Sequence, residues 1–249
     1  MLLGAETMNR TRQSGFTLVE LAIVMIIIGL LIAGILKAQE MIINAQLKSV
    51  IKEVQSYRAA VHTFRDVYDA MPGDMPNPGA RIPNCAANIA CIDAGGNNDR
   101  RVGTLTNNWS RDNQSALITE PTQFWIHLAL ADLITGVTAI GQQIWGDLYP
   151  ASAIGGGFQV AFVREGGANQ AGGHYFILRV PPTGDPHPSN LGGGVLSPIQ
   201  AGYLDKKLDN GVPNLGNVIA DDAANQCWNT GTLRYANTQQ GICITAFKF

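Results

Sequence analysis

Glu20 is the one charged residue between Phe16 and Leu36, in a run otherwise apolar except for Thr17. An acid inside such a run costs about 2.5–3.5 kcal/mol on membrane-insertion scales and usually marks function. In a low-dielectric setting its chemistry is to find a cation. Cys85, Cys91, Cys227 and Cys243 all lie beyond that run. In an oxidising compartment an even set of this kind reads as two disulfides. Three pairings exist, and proximity favours Cys85–Cys91 with Cys227–Cys243. With no histidine near Cys85 and Cys91, a metal site there is disfavoured. Asp205, Asp209, Asn210, Asp221 and Asp222 could supply oxygens of the kind that hold Ca2+. Lys206 and Lys207 oppose a cation there, and Asn210-Gly211 suffices as a plain turn, so no metal and no cofactor is expected; calcium stands as the secondary reading. His62, His127, His174 and His187 fall in unrelated segments. No nucleophile–base signature or phosphate loop appears, and catalysis is not expected.

These residues need elements to position them. The run Phe16–Leu36 would reach about 31 Å as a helix, matching a hydrocarbon core of about 30 Å. Arg10 and Arg12 precede it and no base follows until Lys37, which keeps the N-terminus cytoplasmic and sends the bulk of the chain across. No proline occurs from Phe16 to Pro72. Ile43, Leu47, Val50, Val54, Tyr57, Val61, Phe64 and Tyr68 are spaced alternately four and three apart, a stripe along one helix face. The reading is one helix from Phe16 to about Asp69, roughly 80 Å long, ended by Pro72-Gly73. No second heptad segment of comparable length is present, so the stripe is expected to pack on the protein's own sheet.

Residues 71–119 read as irregular. Residues 120–135 read as a short helix led by Glu120-Pro121, carrying His127 as a packed or surface residue. Phe158–Arg164 and His174–Val180 read as antiparallel strands joined by a Gly-rich loop, with Ile242–Phe249 as a third strand. Pro198–Leu208 reads as another short helix. The net charge of −2 and the lack of Lys/Arg clusters interleaved with aromatics in the sequence argue against a nucleic-acid partner.

Gly15-Phe16-Thr17-Leu18-Val19-Glu20, followed by the apolar run, resembles the prepilin peptidase site of type IV pilins and of type II secretion pseudopilins. The resemblance implies an α+β, pilin-like fold: a long N-terminal helix packed on an antiparallel β-sheet head with loop-rich insertions. Cleavage would follow Gly15, Phe16 would be N-methylated, and Glu20 would set the register of one subunit against the next. Residues 1–15 would be the leader, with Met8 a second candidate start. Residues 16–36 would be the transmembrane and fibre-core part, 37–70 the amphipathic half of the helix, and 71–249 the globular head. A C-terminal disulfide would pin an exposed region to the sheet, and some relatives bind calcium near there.

Pilins often carry a proline at the position that falls on Lys37. Its absence tilts the reading towards a minor pilin or pseudopilin, a structural subunit and not an enzyme. The implied partners are other pilin subunits, prepilin peptidase, the inner-membrane assembly platform and, before assembly, membrane lipid. The implied location is the bacterial inner membrane, crossed once, with the head periplasmic, or extracellular in a pilus. The alternative is a pilin-stalked adhesin or a ligand-binding module for DNA uptake.

Overall fold

The computed structural model describes residues 17–87, 91, 96–103, 119–142, 144–163, 172–180, 193–221, 226–229, 231–238 and 243–249. The chain divides into two units, Met1–Asn44 and Ala45–Phe249. Helix α1, Leu18–Tyr68, contributes to both. In the first unit its apolar side chains from Leu18 to Ile43 stand exposed, and it is long and apolar enough to cross a membrane.

In the second unit most of the expected stripe is buried: Leu47, Val50, Val54, Tyr57, Val61 and Phe64 face the core with Ala60 beside them, and Tyr68 is half-buried. Ile43, read as the first member of the stripe, is instead 41% exposed, since the buried face begins at Leu47. The polar flank of α1 also holds the head. Glu53 accepts hydrogen bonds from the Ser152 hydroxyl (3.0 Å) and the Ala153 amide (3.4 Å). The Arg58 guanidinium forks onto the Lys248 carbonyl, at 2.9 Å from Nε and 2.6 Å from Nη2.

Among the described residues six strands follow: β1 Gly157–Val163, β2 Gly173–Arg179, β3 Val218–Asp221, β4 Trp228–Asn229, β5 Arg234–Tyr235 and β6 Ile244–Lys248. Four form an antiparallel sheet in the order β1-β2-β6-β3, and β4 pairs with β5 alone. The two-residue period of strands sends Phe158, Val160, Phe176, Leu178, Val218, Ala220 and Phe247 into the core shared with α1. The alternate residues Ala161, Val163, Tyr175, Ile177, Ile219 and Ala246 form a second buried cluster. Tyr57 joins helix to sheet, edge-on to Trp125 at 5.2 Å, Phe158 at 5.4 Å and Phe176 at 5.8 Å. Such aromatic pairs add about 0.5–1.5 kcal/mol each beyond area burial.

Short helix α2 is Pro78–Arg81, α3 is Glu120–Leu130 and α4 is Pro198–Leu208. The first residue of α3, Glu120, and Asp74 hold the segment 96–103 through its backbone. Asp74 accepts from the Asn98 and Arg100 amides, both at 2.6 Å, and Glu120 from Gly103 at 2.9 Å. Gly73 sits at φ +82° where a Cβ would fall 2.3 Å from the Glu120 carbonyl oxygen, so α3 closes directly on this turn. The Gly73 amide donates to Nδ1 of the buried His127 at 2.9 Å.

Burial drives the His127 and His174 pKa values down, to about 3 and about 4; Arg65 adds to the effect at His174, and Asp99 opposes it. Unfolding restores an ordinary imidazole, so the unfolded chain binds more protons below pH about 6.5. Stability is therefore full above that pH and is lost as pH falls towards 4 and below. Each histidine contributes at most about 1.4 kcal/mol per pH unit. Asp205, raised to about 6 by burial, acts in the opposite sense between pH 6 and 4. The expected result is a urea midpoint that drops between pH 6.5 and 4, with a shallower drop in His127→Gln, which keeps an acceptor for Gly73 but does not titrate. An equal slope in the variant would exclude His127 as a source.

Candidate assembly site at the start of helix α1

Thr17 directly precedes α1, and its carbonyl accepts the Leu21 amide at 3.3 Å. Its side chain and that of Glu20 cap each other. The Glu20 amide donates to Thr17 Oγ1 at 3.2 Å, while Glu20 Oε2 accepts from the Thr17 amide at 2.8 Å and from the Thr17 hydroxyl at 2.9 Å. This is the reciprocal Thr-x-x-Glu capping box. It satisfies amides that a helix start leaves orphaned and holds an anion at the positive end of the helix dipole. The spacing was present in the sequence as Thr17 and Glu20; reading Glu20 as an isolated acid in an apolar run passes over it. The bonds to the carboxylate converge on Oε2, and Oε1 has no partner among the described residues. The site is thus an oriented acceptor in an exposed apolar sleeve. Gly15 and Phe16, the residues read as the cleavage and methylation positions, lie outside the described residues.

Residues 10–36 match the family model of the prokaryotic N-terminal methylation motif. The chain carries the signature of type IV pilins and pseudopilins. No curated protein and no solved structure matches it. The motif supports a pilin-like precursor of the kind that prepilin peptidase processes, and its family is structural. With the apolar helix, it points to membrane anchoring and to assembly with other pilins.

The remaining candidate residues of this pilin-like chain lie in the head. Cys85 is bonded to Cys91 and Cys227 to Cys243, with Cα atoms 5.4 and 5.3 Å apart. All four cysteines are fully buried. Asp205 is buried too. Its Oδ1 accepts the Gly211 amide at 3.0 Å and its Oδ2 the Tyr235 hydroxyl at 2.8 Å. Asp209 Oδ2 accepts the Asn217 amide at 2.5 Å, and Asn210 Oδ1 accepts the Val212 amide at 2.7 Å. These oxygens serve turns and, at Asp205 Oδ2, the tie of α4 to Tyr235. Asp222 and the side chain of Asp221 lie outside the described residues, and no group of three metal-ligating side chains occurs among those described. Of the histidines, His62 lines a polar surface groove, His127 and His174 are buried, and His187 lies outside the described residues.

Proposed function

We propose that this chain is a structural subunit, a minor pilin or pseudopilin, of a type IV pilus or a type II secretion pseudopilus. It enters the inner membrane with its N-terminus cytoplasmic. Prepilin peptidase cuts between Gly15 and Phe16 and methylates the new amine. The assembly platform then moves the subunit from lipid into a fibre. The observation that carries the reading is the exposed apolar length of α1 from Leu18 to Leu36 with one capped carboxylate at its start. A helix apolar all round needs lipid or like helices around it, and both environments serve this one in turn. Glu20 supplies the register. Its carboxylate meets the cationic Phe16 amine of a neighbouring subunit, and an unpaired charge in that core is strongly unfavourable.

The test is processing. When the chain is coexpressed with a prepilin peptidase, intact mass should fall by residues 1–15 and gain one methyl group. Gly15→Leu should remain full length on a gel and in the mass spectrum. Cleavage at another bond, or unaltered processing of the variant, would overturn the reading.

A further inference from the structure

A groove of about 550 Å3 runs between α4 and the β4–β5 hairpin. The Tyr235 ring lies against the α4 backbone at Gly202, where an added Cβ would come within 3.0 Å of ring Cδ2. The Tyr235 hydroxyl is tied to buried Asp205 at 2.8 Å. The hairpin's base is fastened by the Cys227–Cys243 disulfide and by the Ala236 amide donating to the Cys227 carbonyl at 2.9 Å. The groove is therefore built in advance of any ligand, which lowers the entropic cost of binding.

Its lining combines two characters. Pro198, Ile199, Tyr203 and Tyr235 provide apolar and aromatic surface, and Ile199 is 41% exposed. Lys206 and Arg234, both exposed, also line it, and Lys207 Nζ lies 5.7 Å from the Tyr203 ring centroid. None of these three cations has a salt-bridge partner among the described residues. The nearby acids Asp205 and Asp209 accept hydrogen bonds from Tyr235 and from backbone amides, and neither forms an ion pair with these cations among the described residues. β4 and β5 are two residues each and pair with one another, so they offer an extended peptide no useful edge to join. The volume suits a compact ligand, and one pocket is too short for a strand of several bases.

We propose that this groove binds a carboxylated sugar. The C–H faces of the ring lie on the tyrosines, the carboxylate takes the Arg234 fork and Lys206, and the Asn237 amide serves the hydroxyls. This goes beyond the role in assembly and does not depend on it.

The experiment is calorimetric titration of the detergent-solubilised full chain with trigalacturonic acid, its fully methyl-esterified form, hexaglutamate and a thymidine hexanucleotide. Trigalacturonic acid should bind, and the neutral ester should bind at least about tenfold more weakly, the scale of a charge-assisted hydrogen bond. Arg234→Ala and Lys206→Ala should each weaken binding about tenfold, and Arg234→Lys should recover part of it. Both positions are exposed, so these variants should retain the wild-type circular dichroism spectrum, with Lys48→Ala as a remote control. Absence of trigalacturonate binding, equal affinity for the ester, tighter binding of hexaglutamate or of the oligonucleotide, or indifference to Arg234→Ala would each overturn the proposal.

Discussion

Glu20→Leu is expected to insert into the membrane and be cleaved normally, yet to be missing from assembled fibres. Leucine makes the Leu18–Leu36 run more apolar, so insertion is not impaired. What disappears is the anion that meets a neighbour's Phe16 amine. Leaving a charge buried without its partner costs about 3–5 kcal/mol, a drop of more than a hundredfold in incorporation if it is fully expressed. Leucine also removes the capping box, worth about 1 kcal/mol, so a second variant separates the two effects. Glu20→Gln keeps an acceptor for the Thr17 amide and loses only the charge. It should likewise be absent from sheared fibres by immunoblot while remaining in the membrane fraction. Wild-type levels of the glutamine variant in fibres would refute the charge role, and leave the cap as the reason for the acid.

The second large effect is expected from the C-terminal disulfide. Removing the Cys227–Cys243 bond with paired serines frees a loop with a sequence separation of 16, worth about 3 kcal/mol by chain entropy. Removing Cys85–Cys91, with a separation of 6, should cost about 2 kcal/mol on the same account. For a head of this size each kcal/mol moves the midpoint by about 2–4 °C. The Cys227→Ser/Cys243→Ser chain should therefore melt about 6–12 °C lower, and lower than the Cys85→Ser/Cys91→Ser chain. Calorimetry of the two variants side by side checks the order; a reversed order would show that packing of these buried sulfurs outweighs loop closure.

Much of this architecture is legible in the residues because its signals are local. The stripe from Leu47 to Phe64 follows the helix period, β1 and β2 are dense apolar runs either side of a Gly-rich link, and Pro198 marks the start of α4. What could not be read depends on pairing at a distance. β3 is four residues and β4 and β5 are two each, too short to show a period of two. Nothing near Ile244 in the sequence tells that β6 lies between β2 and β3. The sugar groove is hidden for the same reason. Tyr203, Lys206 and Lys207 lie on one segment and Arg234 and Tyr235 on another, about thirty residues on, so the sequence shows no aromatic–cation cluster. The Thr17–Glu20 cap is the opposite case, a local signal masked by a stronger reading of the same residues.

The strand order also governs when the head is vulnerable. β6 comes after the other three strands in the chain yet fills the gap between β2 and β3. While the polypeptide is still being made, β2 has β1 on one side and nothing on the other, and β3 has no neighbour at all. Both present bare amides and carbonyls to the surroundings, the arrangement that invites pairing with a stranger. Phe247, the Arg58 fork onto Lys248 and the Phe249 ring stacked 4.1 Å from Phe176 arrive together with β6. Until β6 is made both edges stay open, and a chain stopped before Ile244 would leave them open for good.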